Sequence, residues 1–180
     1  TMTFGNHRMN PGLGVPKTLE SFVTFNPMKV MTIPFNDTWN DDYRRGVFWE
    51  FFLKSAFFGE FRFDKFYWLG VSVMAAGLLT LPFMLTGFLS SLRHRAYASL
   101  PLLAVTLFGV AGALAYAWKF RFSSNQDFRF SIVLLSPLFY FLLAAADALP
   151  KRWRWAAYAP PVILCGVCTA FLLTIIFVGT

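Results

Sequence analysis

Residues 66–92 read FYWLGVSVMAAGLLTLPFMLTGFLSSL, 27 consecutive positions without a charge. A helix of about 20 apolar residues crosses a hydrocarbon core about 30 Å thick, so this stretch alone predicts a membrane span. Working outward from it, three more uncharged runs follow at 96–118, 130–146 and 155–180, with 23, 17 and 26 residues. The third, closed by Asp147, sits at the short limit for a span. Lipid offers no partner to an exposed backbone N–H or C=O, so each run is expected to close its hydrogen bonds as a helix. The connections at 90–95, 119–129 and 147–154 are short, which makes neighbouring spans antiparallel. The fold class expected is therefore an all-α membrane protein, a bundle of four transmembrane helices over 66–180.

Composition agrees with this reading. The chain of 180 residues is 57% hydrophobic and 19% aromatic, and only 14% is charged. A soluble domain carries roughly 25% charged residues. The formal net charge of +7 is divided unevenly: residues 1–66 hold eight Lys/Arg and seven Asp/Glu, whereas 67–180 hold eight Lys/Arg and two acids. The surplus lies in connections between spans, where cations meet lipid headgroups, so no nucleic-acid partner is expected. Trp68, Trp118, Trp153 and Trp155 fall at span ends, where an amphipathic ring anchors at headgroup depth. Pro82, Pro101, Pro137, Pro160 and Pro161 lie within spans, a placement that neighbouring helices make tolerable.

Orientation follows from the cations. Arg93, Arg95, Lys151, Arg152 and Arg154 crowd one side with the single acid Asp147. On the other, Lys54, Arg62, Lys65, Lys119, Arg121 and Arg129 are diluted by Glu50, Glu60, Asp64 and Asp127. Placing the denser group in the cytoplasm puts both termini outside it, in a bacterial inner membrane. Residues 1–30 lack the apolar core of a cleavable leader, and the chain opens Thr1-Met2. It reads as the later part of a longer protein.

Ahead of the spans are two segments. Residues 1–46 are polar and turn-rich, with Asn10-Pro11-Gly12, Asn26-Pro27 and Pro34, and are expected to form an extramembrane loop region. Residues 47–65 carry Phe and Trp at high density with Glu50 and Lys54 spaced i, i+4. They read as an amphipathic helix lying in the membrane interface, anchored by Trp49 and Phe52 and ended or kinked at Gly59.

Three clusters could carry chemistry. Lys119, Arg121 and Arg129, with Asp127 among them, sit in a Phe-rich loop and suit a lipid or phosphate headgroup; a solvated turn is the plainer alternative. Asn36, Asp37, Thr38, Asn40, Asp41, Asp42, Arg44 and Arg45 match no defined cation loop and read as a polar turn. Asp147 stands at a span end beside Lys151 and Arg152 and is expected to pair there. Cys165 and Cys168 lie deep in the fourth span and read as inert packing residues. His7 and His94 fall outside the spans. No catalytic residue, metal ligand set or cofactor is called for.

Two segments also carry a family resemblance: FWEFFLKSAFFGEF at 48–61, just before a span, and NQDFRF at 125–130, opening another. They resemble the later half of bacterial polytopic glycosyltransferases of the GT-C type, similar to the protein mannosyltransferase-like superfamily that uses polyprenyl-phosphate sugars. In that family the catalytic acids and metal belong to an early extracytoplasmic loop, which has no counterpart at Asp37, Asp41 or Asp42. The resemblance implies that Arg121, Asp127 and Arg129 border a lipid-carrier face. The expected function is that of a non-catalytic structural or accessory subunit, bound to membrane lipids and to other membrane subunits. The alternative is the C-terminal membrane portion of a lipid-linked-sugar glycosyltransferase.

Overall fold

The computed structural model describes residues 14–15, 18–94, 96–120 and 122–178. Among them the chain is 82% helical, without strands. Seven α-helices follow in order: α1 (Leu19–Val23), α2 (Pro27–Thr32), α3 (Phe48–Phe58), α4 (Tyr67–His94), α5 (Ala96–Lys119), α6 (Leu135–Ala148) and α7 (Arg154–Val178). Single 3₁₀ turns or short 3₁₀ stretches join several of them. Four helical segments, 64–94, 97–119, 131–148 and 151–177, are long and apolar enough to cross a membrane.

Contacts divide the chain into two units, one of residues 1–65 and 109–132, the other of 66–108 and 133–180, with α5 contributing to both. In the second unit α4, α6 and α7 pack on one another. The buried positions of α4 include Gly70, Val73, Met74, Gly77, Thr80, Gly87 and Ser91, a stripe at three- and four-residue steps made largely of small side chains. Small residues let helix backbones approach closely where lipid supplies no hydrophobic drive between helices. The approach is close at Gly87, where an added Cβ would fall 1.7 Å from the Phe141 carbonyl oxygen and 2.9 Å from the Ala145 nitrogen. Phe88 meets Phe141 edge-on beside it, with centroids 5.2 Å apart.

The third span differs from its expected form. Instead of a helix from residue 130, a 3₁₀ stretch runs over Phe128–Leu134 with a break at Ser131 (φ −123°, ψ 19°), and the α-helix begins only at Leu135. Pro137 explains the register. It has no N–H and clashes in a helix interior, but it fits the first turn, where amides lack intrahelical acceptors. Starting at Leu135 places it there.

Candidate functional site

The polar residues of the first unit gather around α3. Its buried side chains are Phe48, Glu50, Phe51, Lys54, Ser55 and Phe58, so the two charges share the inward face with the phenylalanines. Gly59, at φ 62°, ends the helix. Beyond it the chain bends back, and Phe35 stacks edge-on against Phe58 and Phe63 at 4.9 and 5.7 Å. A charge on a buried face is costly unless it is paired and hydrogen-bonded; Glu50 is both, whereas Lys54 is hydrogen-bonded only to a backbone carbonyl.

Glu50, 0% exposed, receives the Arg44 guanidinium through two nitrogens at 2.5 and 2.8 Å. It also accepts the backbone N–H of Asn26 at 3.1 Å. Arg44 reaches it from a left-handed backbone, φ 58°, the one non-glycine residue at positive φ among those described. That conformation costs roughly 1–2 kcal/mol for an L-residue and is held by the fork-to-carboxylate bond. Lys54, also 0% exposed, donates to the Tyr43 carbonyl at 2.8 Å rather than forming the i, i+4 pair with Glu50. Burial pulls its ammonium down to about 8, against the pull of the nearby Glu50 carboxylate.

The same unit joins the two polar clusters that lie far apart in sequence. Arg45, buried, donates to the Thr38 carbonyl and to Asp41, both at 2.7 Å. Thr38 also accepts from the Ser123 hydroxyl at 3.0 Å, and the Gln126 amide donates to the Arg45 carbonyl at 3.0 Å. The Ser55 hydroxyl takes the N–H of Phe128 at 2.8 Å. Asn36, fully buried, spans two α3 carbonyls, donating to Phe51 at 3.2 Å and Gly59 at 3.0 Å. Arg62 bridges Asp37 and Asp64 and lies 4.6 Å over the Tyr43 ring. The turn at 36–45 and the loop at 122–128 thus form the two jaws that close on α3.

The expected headgroup residues separate. Asp127 is buried, accepts the Arg129 backbone N–H at 2.9 Å and faces its guanidinium at 3.6 Å. Arg129 also pairs with Glu60 at 2.9 Å. Burial raises the Glu60 carboxyl above its ordinary range, and Arg129 opposes that rise. Lys119 is exposed, its ammonium 5.5 Å from the Phe120 ring centroid. Arg121 and His7 lie outside the described residues. Of the expected aromatic anchors, Trp68, Trp118, Trp153 and Trp155 are exposed. Trp49 and Phe52 are half-buried within the unit: Trp49 donates its indole N–H to the Phe22 carbonyl at 2.8 Å, and Phe52 meets Phe128 edge-on at 5.1 Å.

Sequence reasoning missed Asn36, Ser55, Ser123 and Gln126 as clamps and read Glu50 and Lys54 as an i, i+4 pair on an amphipathic helix, a pair that does not form. One signal was present: on a helical wheel Glu50 and Lys54 fall beside Phe51 and Phe58, inside the aromatic stripe.

Lys54 gives the unit a pH dependence of definite sign. Folded, it releases its proton at about 8 against an ordinary value of 10.5. Between those values the unfolded chain binds more protons, so stability rises with pH, and below about 8 the full burial cost is present. Lys54→Met is expected to flatten that rise and to stabilise the protein at neutral pH. Thermal unfolding followed by tryptophan fluorescence across the window checks it; an unchanged slope counts against a buried ammonium.

No family model, curated protein or solved structure matches the chain.

Proposed function

We propose that this protein is a membrane-integral accessory subunit that packs its spans against transmembrane helices of a larger complex, without catalysing a reaction itself. The observation that carries this reading is the coverage of the spans. Inside the chain, 33% and 44% of the α4 and α6 span windows are buried, against 11% for α5 and 6% for α7. Two apolar helices are thus open along most of their length to lipid or to other helices.

The use of the carboxylates supports the same reading. Glu50 is held by Arg44, Asp41 by Arg45, Asp37 and Asp64 by Arg62, and Glu60 and Asp127 by Arg129. These six carboxylates serve the architecture of the first unit. A transferase would instead turn Asp127 and Arg129 to a lipid-linked phosphate, and their engagement with each other and with Glu60 favours the accessory reading. Lys119, exposed at the end of α5, is one cation available to lipid phosphates. On this reading Arg93, Lys151, Arg152 and Arg154, all exposed, face the cytoplasm from a bacterial inner membrane, and both termini lie outside the cytoplasm.

The test is native mass spectrometry of the tagged protein extracted from its own membranes in a mild detergent. The reading expects a complex containing distinct further polypeptides, which Gly112→Leu on the open α5 surface weakens. A species at the mass of the chain with lipid alone overturns it.

A further inference from the structure

We propose that the α1–α2 segment is a membrane-surface anchor: Leu19, Val23, Phe25 and Met28 insert among the lipid headgroups of the bilayer that α5 crosses. Four large apolar side chains in ten residues are turned out of the protein here, Leu19 at 73%, Val23 at 67%, Met28 at 65% and Phe25 at 40% exposure. Exposed apolar residues scattered singly are ordinary, but a contiguous group on a segment fixed in place marks a contact surface.

The segment is fixed, and the place is informative. The Phe22 ring packs on Trp118 with centroids 5.3 Å apart and stacks on Phe48 at 5.5 Å. Its carbonyl accepts the Trp49 indole N–H. Thr18 caps α1 through the Ser21 N–H, and Asn26 caps α2 through the Lys29 N–H while giving its own N–H to Glu50. Trp118 and Lys119 are the last two residues of the α5 span. They are where the helix leaves hydrocarbon for headgroups, the depth at which a tryptophan and a lysine are most stable. A ring packed against Trp118 therefore lies at that same depth, within one side-chain length. On α1, Leu19 and Val23 flank Phe22 at i−3 and i+1, so they emerge beside the same boundary.

Charge argues for lipid over a protein groove. Lys29 on α2 and Lys119 at the end of α5 are both exposed, against the single exposed carboxylate of Glu20 on the segment, and this balance suits a layer of lipid phosphates around an apolar insertion. Phe48 and Trp49 of 47–65 hold this segment in place through Phe22.

The experiment places single cysteines at Leu19 or Val23, and at Leu107 as a depth reference, in a Cys165→Ser/Cys168→Ser background. Each is labelled with an environment-sensitive fluorophore, and the whole purified chain is reconstituted into phosphatidylcholine vesicles. Labels at Leu19 and Val23 are expected to shift to the blue and to lose roughly half or more of their fluorescence to lipids spin-labelled high on the acyl chain. Both side chains point outward, so neither cysteine removes core packing. Labels at Leu19 and Val23 that stay in water while Leu107 is quenched overturn the anchor and leave the membrane span standing. A Leu107 label in water as well overturns the span, and the anchor with it. A surface made for a protein partner gives the first of these two results, because no partner is in the vesicle.

Discussion

Gly87→Ala is expected to cost the helical bundle about 3 kcal/mol, and Gly87→Leu more, since overpacking a tight contact costs roughly 1–3 kcal/mol and sometimes exceeds that. The reason is backbone against backbone. A Cβ at Gly87 would stand 1.7 Å from the Phe141 oxygen, 2.6 Å from its carbon and 2.9 Å from the Ala145 nitrogen. No rotamer change relieves such an overlap, because the obstructing atoms belong to the hydrogen-bonded ladder of α6. The helices have to separate, which strips contact from Ala144, Ala145 and the Phe88–Phe141 pair together. Gly112 and Gly166 supply internal controls, for nothing lies within 4 Å of a Cβ built at either. Replacing those two by alanine is expected to leave stability unchanged or slightly higher, by at most about 1 kcal/mol from helix propensity. Denaturant unfolding in detergent, followed by near-ultraviolet circular dichroism, compares the four variants. A Gly87→Ala protein as stable as the parent would contradict the close α4–α6 approach.

The contrast among these glycines shows where sequence reading succeeds and where it stops. The uncharged runs placed α4, α5 and α7 to within a residue or two, because a span is a local property: length, absence of charge, and flanking cations or aromatics. The third span, 131–148, also lies within a residue or two of its uncharged run, but that run does not show that the chain is 3₁₀ with a break at Ser131 before the α-helix begins at Leu135. Nothing in the local pattern distinguishes Gly87 from Gly112 either, as both sit in apolar helices and differ only in what another part of the chain brings against them. The first unit was the least legible for the same reason. Its clamps join Thr38 to Ser123, Arg45 to Gln126 and Ser55 to Phe128, pairs separated by 85, 81 and 73 positions. Read separately, residues 36–45 and 119–129 are two polar turns; only their meeting over α3 makes Glu50 and Lys54 interior groups.

That interior carboxylate sets the largest effect expected in the first unit. Removing one partner of a buried ion pair costs about 3–5 kcal/mol, mainly because the other charge is left without compensation. Arg44→Ala leaves Glu50, at 0% exposure, with the Asn26 N–H as its remaining hydrogen bond, and should lose an amount in that range. Glu50→Leu leaves Arg44, whose side chain is 29% exposed and can turn to water, so it should cost less than Arg44→Ala. Combining Arg44→Met with Glu50→Leu should recover much of the loss, because apolar replacements of similar volume often match a buried pair. Lys54 would then have lost both the Glu50 carboxylate that holds its ammonium up and the smaller opposing push of Arg44, so on balance its pKa should fall below about 8. The double variant would accordingly show a wider alkaline window of rising stability than the parent. Thermal unfolding of the four proteins from acid to alkaline pH reads both effects, and equal losses for the two single variants would refute an ion pair at the centre of this unit.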